Sequence, residues 1–331
     1  MATVLFFNYV GFYIKSNAIN GTDTQCNSDI SQKVFSTLSG ENMGSLICIK
    51  DLYDSNENLV AYCGETENGY VIYDVNGEII EYSPSNESPY KNIDGHLYYS
   101  GLFGYYVENE QKYENICDGT ISDTVCFSHI TGDNISDVLT SENYVANSSV
   151  INNTINYEPR KINYNENGLN ACGTMATTII FLYYYDHISH AFANPLLSTT
   201  PYYMFETLRQ KIEPDNNGTT WQQLHSGICN NFKSVTTLKE LNINVYNNNN
   251  VSTVDVYKSL IEYSKIPCWL LTLTNVYGPH WVVGYGYKKI ITSTSEYKFF
   301  IVNDGQCRND VHINENDVSY MMYVKSYKTI S

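Results

Sequence analysis

Residues 170–187 read NACGTMATTIIFLYYYDH, and this stretch organises the rest of the 331-residue chain. From Cys172 onward it is the most hydrophobic segment present, predicting a buried helix that opens at the cysteine directly after a Gly/Asn loop, NENGLNA. Downstream, helices are predicted over residues 203–212, 219–232 and 253–265. Strands are predicted over 268–274, 281–287, 298–303 and 320–325. Helices followed by a sheet define an α+β unit over residues 161–331.

Upstream, residues 27–39 place Val34, Phe35 and Leu38 on one helical face and end at Gly40. Strand-like runs follow at 59–63, 70–75 and 78–82. The last two are joined by Asn76-Gly77, a strong hairpin signal because both residues tolerate positive φ. A Tyr-rich run at 97–107 adds another strand or hairpin. Residues 26–130 are therefore a smaller unit of one helix and an antiparallel sheet. Between the units, residues 131–160 turn to Ser, Asn, Asp and Thr, the texture of a protease-sensitive linker. Residues 1–25 contain the apolar run TVLFFNYVGFYI at 3–14 and read as an export leader, so the protein is expected to be secreted.

Composition narrows the function classes. A net charge of −16 argues against nucleic-acid partners and anionic membrane surfaces, which select basic patches. No apolar run reaches the roughly 20 residues of a membrane span. None of the nine cysteines forms a C-x-x-C pair, which disfavours a zinc ribbon, and the odd count leaves one thiol without an intrachain disulfide. No repeat of solenoid or propeller length is visible.

Three positions carry the candidate chemistry. A thiol at a helix N-terminus meets the positive end of the macrodipole, which favours the nucleophilic thiolate; that is Cys172. A thiolate nucleophile needs a partner that stabilises it and later protonates the leaving amine. His280, 108 residues later in GPHWVVGYGY, suits that task at the start of a strand. The next strand ends in IVNDG, so Asn303 or Asp304 can orient the imidazole through its second nitrogen. Taken singly these are ordinary features: a packed cysteine, a satisfied histidine and a turn. Their joint occurrence, in this order and each at an element terminus, points to a Cys-His-Asn/Asp enzyme.

NACGTMATTIIFLYYYDH, GPHWVVGYGY and FFIVNDG together resemble the clan of papain-fold cysteine peptidases, most nearly its streptopain-like and bacteriocin-peptidase-like (double-glycine peptidase-like) branches. NNGTTWQQLHSGICNNF and IPCWLLTL resemble the region those enzymes place between nucleophile and histidine. The likeness covers roughly residues 160–331. It implies a papain-like α+β domain, with Cys172 as nucleophile, His280 as general base and acid, and Asn303 as orienting residue. Asp304 is the rival, since the bacteriocin-peptidase branch uses an aspartate there.

LYDSNENLVAYCGETENGYVIYDVNGEIIEYS, residues 52–83, also resembles the propeptide of streptopain-type zymogens. That implies a prodomain acting as an intramolecular inhibitor, released by a cut within 131–160. The family pattern places a glutamine six residues before the cysteine, as part of the oxyanion hole. Here Glu166 stands at that position, and its carboxylate would repel a developing oxyanion; Asn167 is the expected substitute, with Asn165 and Asn170 as alternatives.

The expectation is thus a secreted cysteine endopeptidase zymogen acting on protein or peptide substrates, with no metal or cofactor implied. The alternatives are a transglutaminase-like acyl transferase and a non-catalytic secreted binding protein of the same fold. His187 and His190 have spacing compatible with a shared metal but no third ligand nearby, and Gly284-Tyr285-Gly286 lacks the helix a dinucleotide fingerprint requires.

Overall fold

The computed structural model describes residues 24–117, 119, 121–127, 149–154, 160, 171–198, 200–213, 218–247, 252–272, 280–292, 295–305 and 308–330. The expected leader, apart from Thr24 and Gln25, and most of the expected linker lie outside the described residues.

In chain order the N-terminal part contributes helix α1 (Thr24–Thr37) and eight strands. These are β1 (Leu46–Tyr53), β2 (Leu59–Thr66), β3 (Tyr70–Asp74), β4 (Ile79–Ser83), β5 (Leu97–Tyr99), β6 (Tyr105–Asn109), β7 (Lys112–Asn115) and β8 (Ile121–Ser122). Strand β9 (Ser149–Thr154) falls inside the stretch expected to be a linker. Then come α2 (Cys172–His187), α3 (Pro195–Ser198), α4 (Pro201–Ile212), α5 (Trp221–Asn231), β10 (Leu238–Asn247) and α6 (Thr253–Ser264). The chain closes with β11 (Cys268–Thr272), β12 (His280–Ile291), β13 (Glu296–Asn303), β14 (Val311–Asn314) and β15 (Val318–Thr329).

All fifteen strands belong to one sheet, ordered β10-β15-β11-β12-β13-β14-β4-β3-β2-β1-β5-β6-β7-β8, with β9 added against β12. Every pairing is antiparallel except β1 with β5. The architecture is mixed helix and strand around one large sheet, compatible with α+β. The strand β12 is its spine: its first half pairs with β11 and its second half with β9, while β13 runs along the other edge. In the β3–β4 hairpin, Gly77 takes φ +82 and the Asp74 carboxylate accepts from Asn76 N and Glu78 N, whereas Asn76 stays at negative φ.

The N- and C-terminal parts meet where β14 pairs with β4, His312 opposite Tyr82 and Ile313 opposite Glu81. Side chains reinforce this seam. Ser83 Oγ donates to Asp310 O at 2.8 Å and Asn314 Nδ2 to Ile79 O at 2.9 Å. Tyr82 packs edge-on against Phe299. Lys288 of β12 forms an ion pair with Glu41, both side chains 5% exposed. One apolar cluster runs through both parts, from Ile72, Tyr99 and Phe103 to Ile180, Trp269 and Val302.

The helix α2 is buried continuously from Gly173 to Tyr184. It crosses β11, where Phe181 meets Trp269 edge-on and Trp269 Nε1 donates to Thr177 Oγ1 at 3.1 Å. Each fully buried Ile179, Ile180, Phe181 or Leu182 contributes about 2 kcal/mol, so this helix is fixed by packing although its N-cap, Ala171, supplies no side-chain bond.

Removing one member of the Lys288–Glu41 pair strands the other charge. Lys288→Ala is expected to cost about 3 kcal/mol in denaturant unfolding, and adding Glu41→Gln to recover part of that loss.

Candidate functional site

The site forms where the start of α2, the start of β12 and the turn after β13 converge. Cys172 is the first residue of α2; the residue keeps some exposure, but its sulfur is enclosed, with the backbone N–H groups of Trp281 and Gly173 facing it. Trp281 directly follows His280, so the residues separated by 108 positions in sequence are brought to one place. Trp281 Nε1 in turn donates to Thr219 O at 3.0 Å, tying β12 to the loop before α5.

His280 lies opposite Thr272 of β11, whose hydroxyl donates to the His280 carbonyl at 3.0 Å. Its Nε2 stands 3.4 Å from the Asp304 main-chain carbonyl. Asn303, fully buried and opposite Val283, accepts from Gly305 N at 2.9 Å and donates through Nδ2 to Arg160 O at 3.3 Å. The Asp304 carboxylate accepts from Arg308 N at 3.0 Å and pairs with the Arg308 guanidinium. Gly305, at φ +75, leaves room for Met175 of α2; a Cβ there would stand 3.4 Å from it. Asn167 and its neighbours Asn165, Glu166 and Asn170 lie outside the described residues.

One electrostatic expectation is reversed. The macrodipole argument predicts a lowered thiol pKa at Cys172, yet burial pushes the thiol up to about 12 and the Glu213 carboxylate adds to the rise. Glu213, immediately after α4, is 3% exposed and accepts from Thr174 N at 2.9 Å, from the Thr174 hydroxyl, and from Thr219 Oγ1 at 3.0 Å. A buried carboxyl, itself raised above the usual carboxylate range by that burial, occupies the same helix terminus that was expected to favour the thiolate.

The N-terminal part also enters the site. The ring of Phe103 lies 5.3 Å from that of His280, centroid to centroid. It is presented by a tight turn in which Gly104 N donates to Gly101 O at 2.8 Å and Phe103 itself takes φ +64. A bulky residue at positive φ costs about 1–2 kcal/mol and persists only where its surroundings enforce it.

Beneath this turn a buried polar network spans both parts of the chain. Glu81 of β4 accepts from the Tyr105 hydroxyl and has the Tyr70 hydroxyl at 3.5 Å, while Arg308 lies over the Tyr105 ring at 5.2 Å. Burial raises the Glu81 carboxyl to about 7, against the opposing pull of Arg308, the Tyr105 hydroxyl and the Phe103 backbone N–H.

Sequence reasoning singled out Cys172, His280, Asn303 and Asp304 and passed over Glu213, Phe103, Glu81 and Arg308. A glutamate ahead of Pro214, a phenylalanine between glycines and a lone Glu in an apolar strand give no local signal of a shared site. Among the described residues no group of three or more His, Cys, Asp or Glu side chains is placed to hold a metal, and His187 and His190 instead contact the rings of Tyr183 and Tyr185. Among the described residues no helix is long and apolar enough to cross a membrane. No protein-family model matches the chain, and no curated protein matches its sequence.

The Glu81 shift fixes the sign of a pH effect. A carboxyl raised from its ordinary value to about 7 holds its proton more tightly folded than unfolded, so its contribution is full below about pH 4.5 and is lost as pH rises through about 7. Glu81→Gln is expected to flatten the fall in Tm between pH 5 and pH 8. The difference from wild type should approach roughly 3 kcal/mol, read from unfolding curves at each pH.

Proposed function

We propose that the protein is a cysteine peptidase of papain-like α+β fold made as a zymogen, with Cys172 as nucleophile and His280 as its base and acid. The observation that carries this reading is the approach of two element ends: the backbone N–H of Trp281, next to His280 at the start of β12, faces the Cys172 sulfur at the start of α2. A Cys-His pair at the joined ends of a buried helix and a sheet is the constellation that acyl-transfer chemistry uses.

In the reaction the Cys172 thiolate attacks a peptide carbonyl to form the thioester, and His280 protonates the departing amine. His280 then takes a proton from water as it cleaves the acyl-enzyme. The histidine is oriented from the Asn303-Asp304 turn, where Asp304 O lies 3.4 Å from Nε2 and Asn303 braces the turn through Gly305 N. The upward push on the Cys172 thiol and the Phe103 ring against His280 support a latent form, with the N-terminal part as the inhibitor. Secretion fits a peptidase of this kind, and a reducing medium favours its activity because a thiolate oxidises readily.

The test is intact mass under denaturing conditions after incubation in reducing buffer, which detects a cut even if the two pieces stay joined through β4 and β14. Wild type is expected to lose roughly 15–18 kDa, one small domain's worth, while Cys172→Ala and His280→Ala stay whole. Cleavage of the alanine variants at the wild-type rate would rule out this assignment.

An aromatic pair is worth about 0.5–1.5 kcal/mol, so Phe103→Ala is expected to speed processing by about 2- to 10-fold, measured in the same assay.

A further inference from the structure

We propose that Glu213 is a positioning residue of the Cys172 site, one whose carboxylate locks the first turn of α2 against the strand bearing His280 and whose charge opposes the Cys172 thiolate. This rests on the reading of Cys172 as the nucleophile and deepens it by naming what governs its ionisation.

The geometry is a chain of contacts running through one buried carboxylate. On one side Glu213 holds the first turn of α2 through Thr174 N, the Thr174 hydroxyl and the adjacent Gly173 backbone. On the other it holds Thr219 Oγ1, and the carbonyl of that same Thr219 receives the indole N–H of Trp281, the neighbour of His280. The helix carrying the thiol and the strand carrying the histidine are therefore registered through a single side chain from the end of α4. Gly173 is part of the fit: a Cβ there would stand 2.7 Å from Thr219 Oγ1 and 3.0 Å from Glu213 Oε1. Alanine at 173 would push the anchor away from the nucleophile.

The electrostatics follow from the same placement. The groups that hold Glu213 are hydroxyls and backbone N–H donors; they oppose, without cancelling, the burial that raises its carboxyl above the usual range, and none of them supplies a positive charge. The ionisable group that acts on Cys172 is Glu213, from the end of α4. A carboxylate at the N-terminus of α2 absorbs the helix field that would otherwise act on the sulfur. Cys172 is thus held as a thiol until a neighbouring cation or a substrate changes the balance.

The experiment measures the alkylation rate of Cys172 by iodoacetamide between pH 6 and pH 10, reading the Cys172 peptide by mass, in the full chain. Glu213→Gln is expected to alkylate about tenfold faster than wild type at pH 8, equivalent to about one pH unit in thiol ionisation, with folding retained by circular dichroism. Glu213→Asp, which keeps the charge, is expected to stay near the wild-type profile. An unchanged pH profile in a folded Glu213→Gln protein would overturn the proposal.

Glu213→Met serves as a second uncharged variant; if both it and the Gln variant fail to fold, Glu213 is a structural cap only and the proposal also falls. Alkylation does not depend on turnover. A shifted profile with no self-processing in any variant would therefore exclude self-maturation by Cys172 while leaving the Glu213–Cys172 coupling intact.

Discussion

Continuous burial of α2 is the constraint from which the rest of the structure follows. A helix buried from Gly173 to Tyr184 must satisfy its polar groups internally. Thr177 and Thr178 bond back to the carbonyls of Gly173 and Thr174, and Trp269 caps the Thr177 hydroxyl. The first-turn N–H groups have no side chain from Ala171 to accept them, and Glu213 reaches in from the end of α4 to do so. Burying the helix thus dictates a buried carboxylate, and that carboxylate stands next to the thiol. Stability of the scaffold and reactivity of the site are coupled through one group.

The seam between the two parts of the chain works in a similar way. The strand β14 would be a sheet edge without β4, and such edges invite unwanted pairing. Closing it with β4 also buries Glu81, Tyr105 and Arg308 together, and Arg308 pairs with Asp304, whose carbonyl faces His280. The N-terminal part therefore meets the candidate site twice, directly through Phe103 and indirectly through Arg308. Release of such a part would have to break backbone ladder bonds, and would expose Lys288 and Glu41 as well.

Much of the local structure was legible in the sequence. The helices at residues 203–212 and 253–265, the hairpin at Asn76-Gly77 and the strands from residue 268 onward follow from periodicity, capping and turn chemistry. What escaped has physical reasons. In β10, LKELNINVYN, three asparagines of poor strand propensity mask the alternation, and the strand exists because β15 pairs with it along its length. The short β14 and β9 are stabilised by β13, β4 and β12 respectively rather than by any preference of their own.

The sequence by itself determined the buried helix beginning at Cys172, the strand that opens with His280 and the turn at Asn303-Asp304, because each is written in residues a few positions apart. Only the tertiary structure decided that these ends meet, that one sheet runs through both parts of the chain, and that Glu213 and Phe103 stand at the thiol and the imidazole. The direction in which the Cys172 thiol is pushed belongs to that second class. A macrodipole can be read from a helix start, but burial and a carboxylate 41 residues away in the chain outweigh it, and neither exists until the chain has folded.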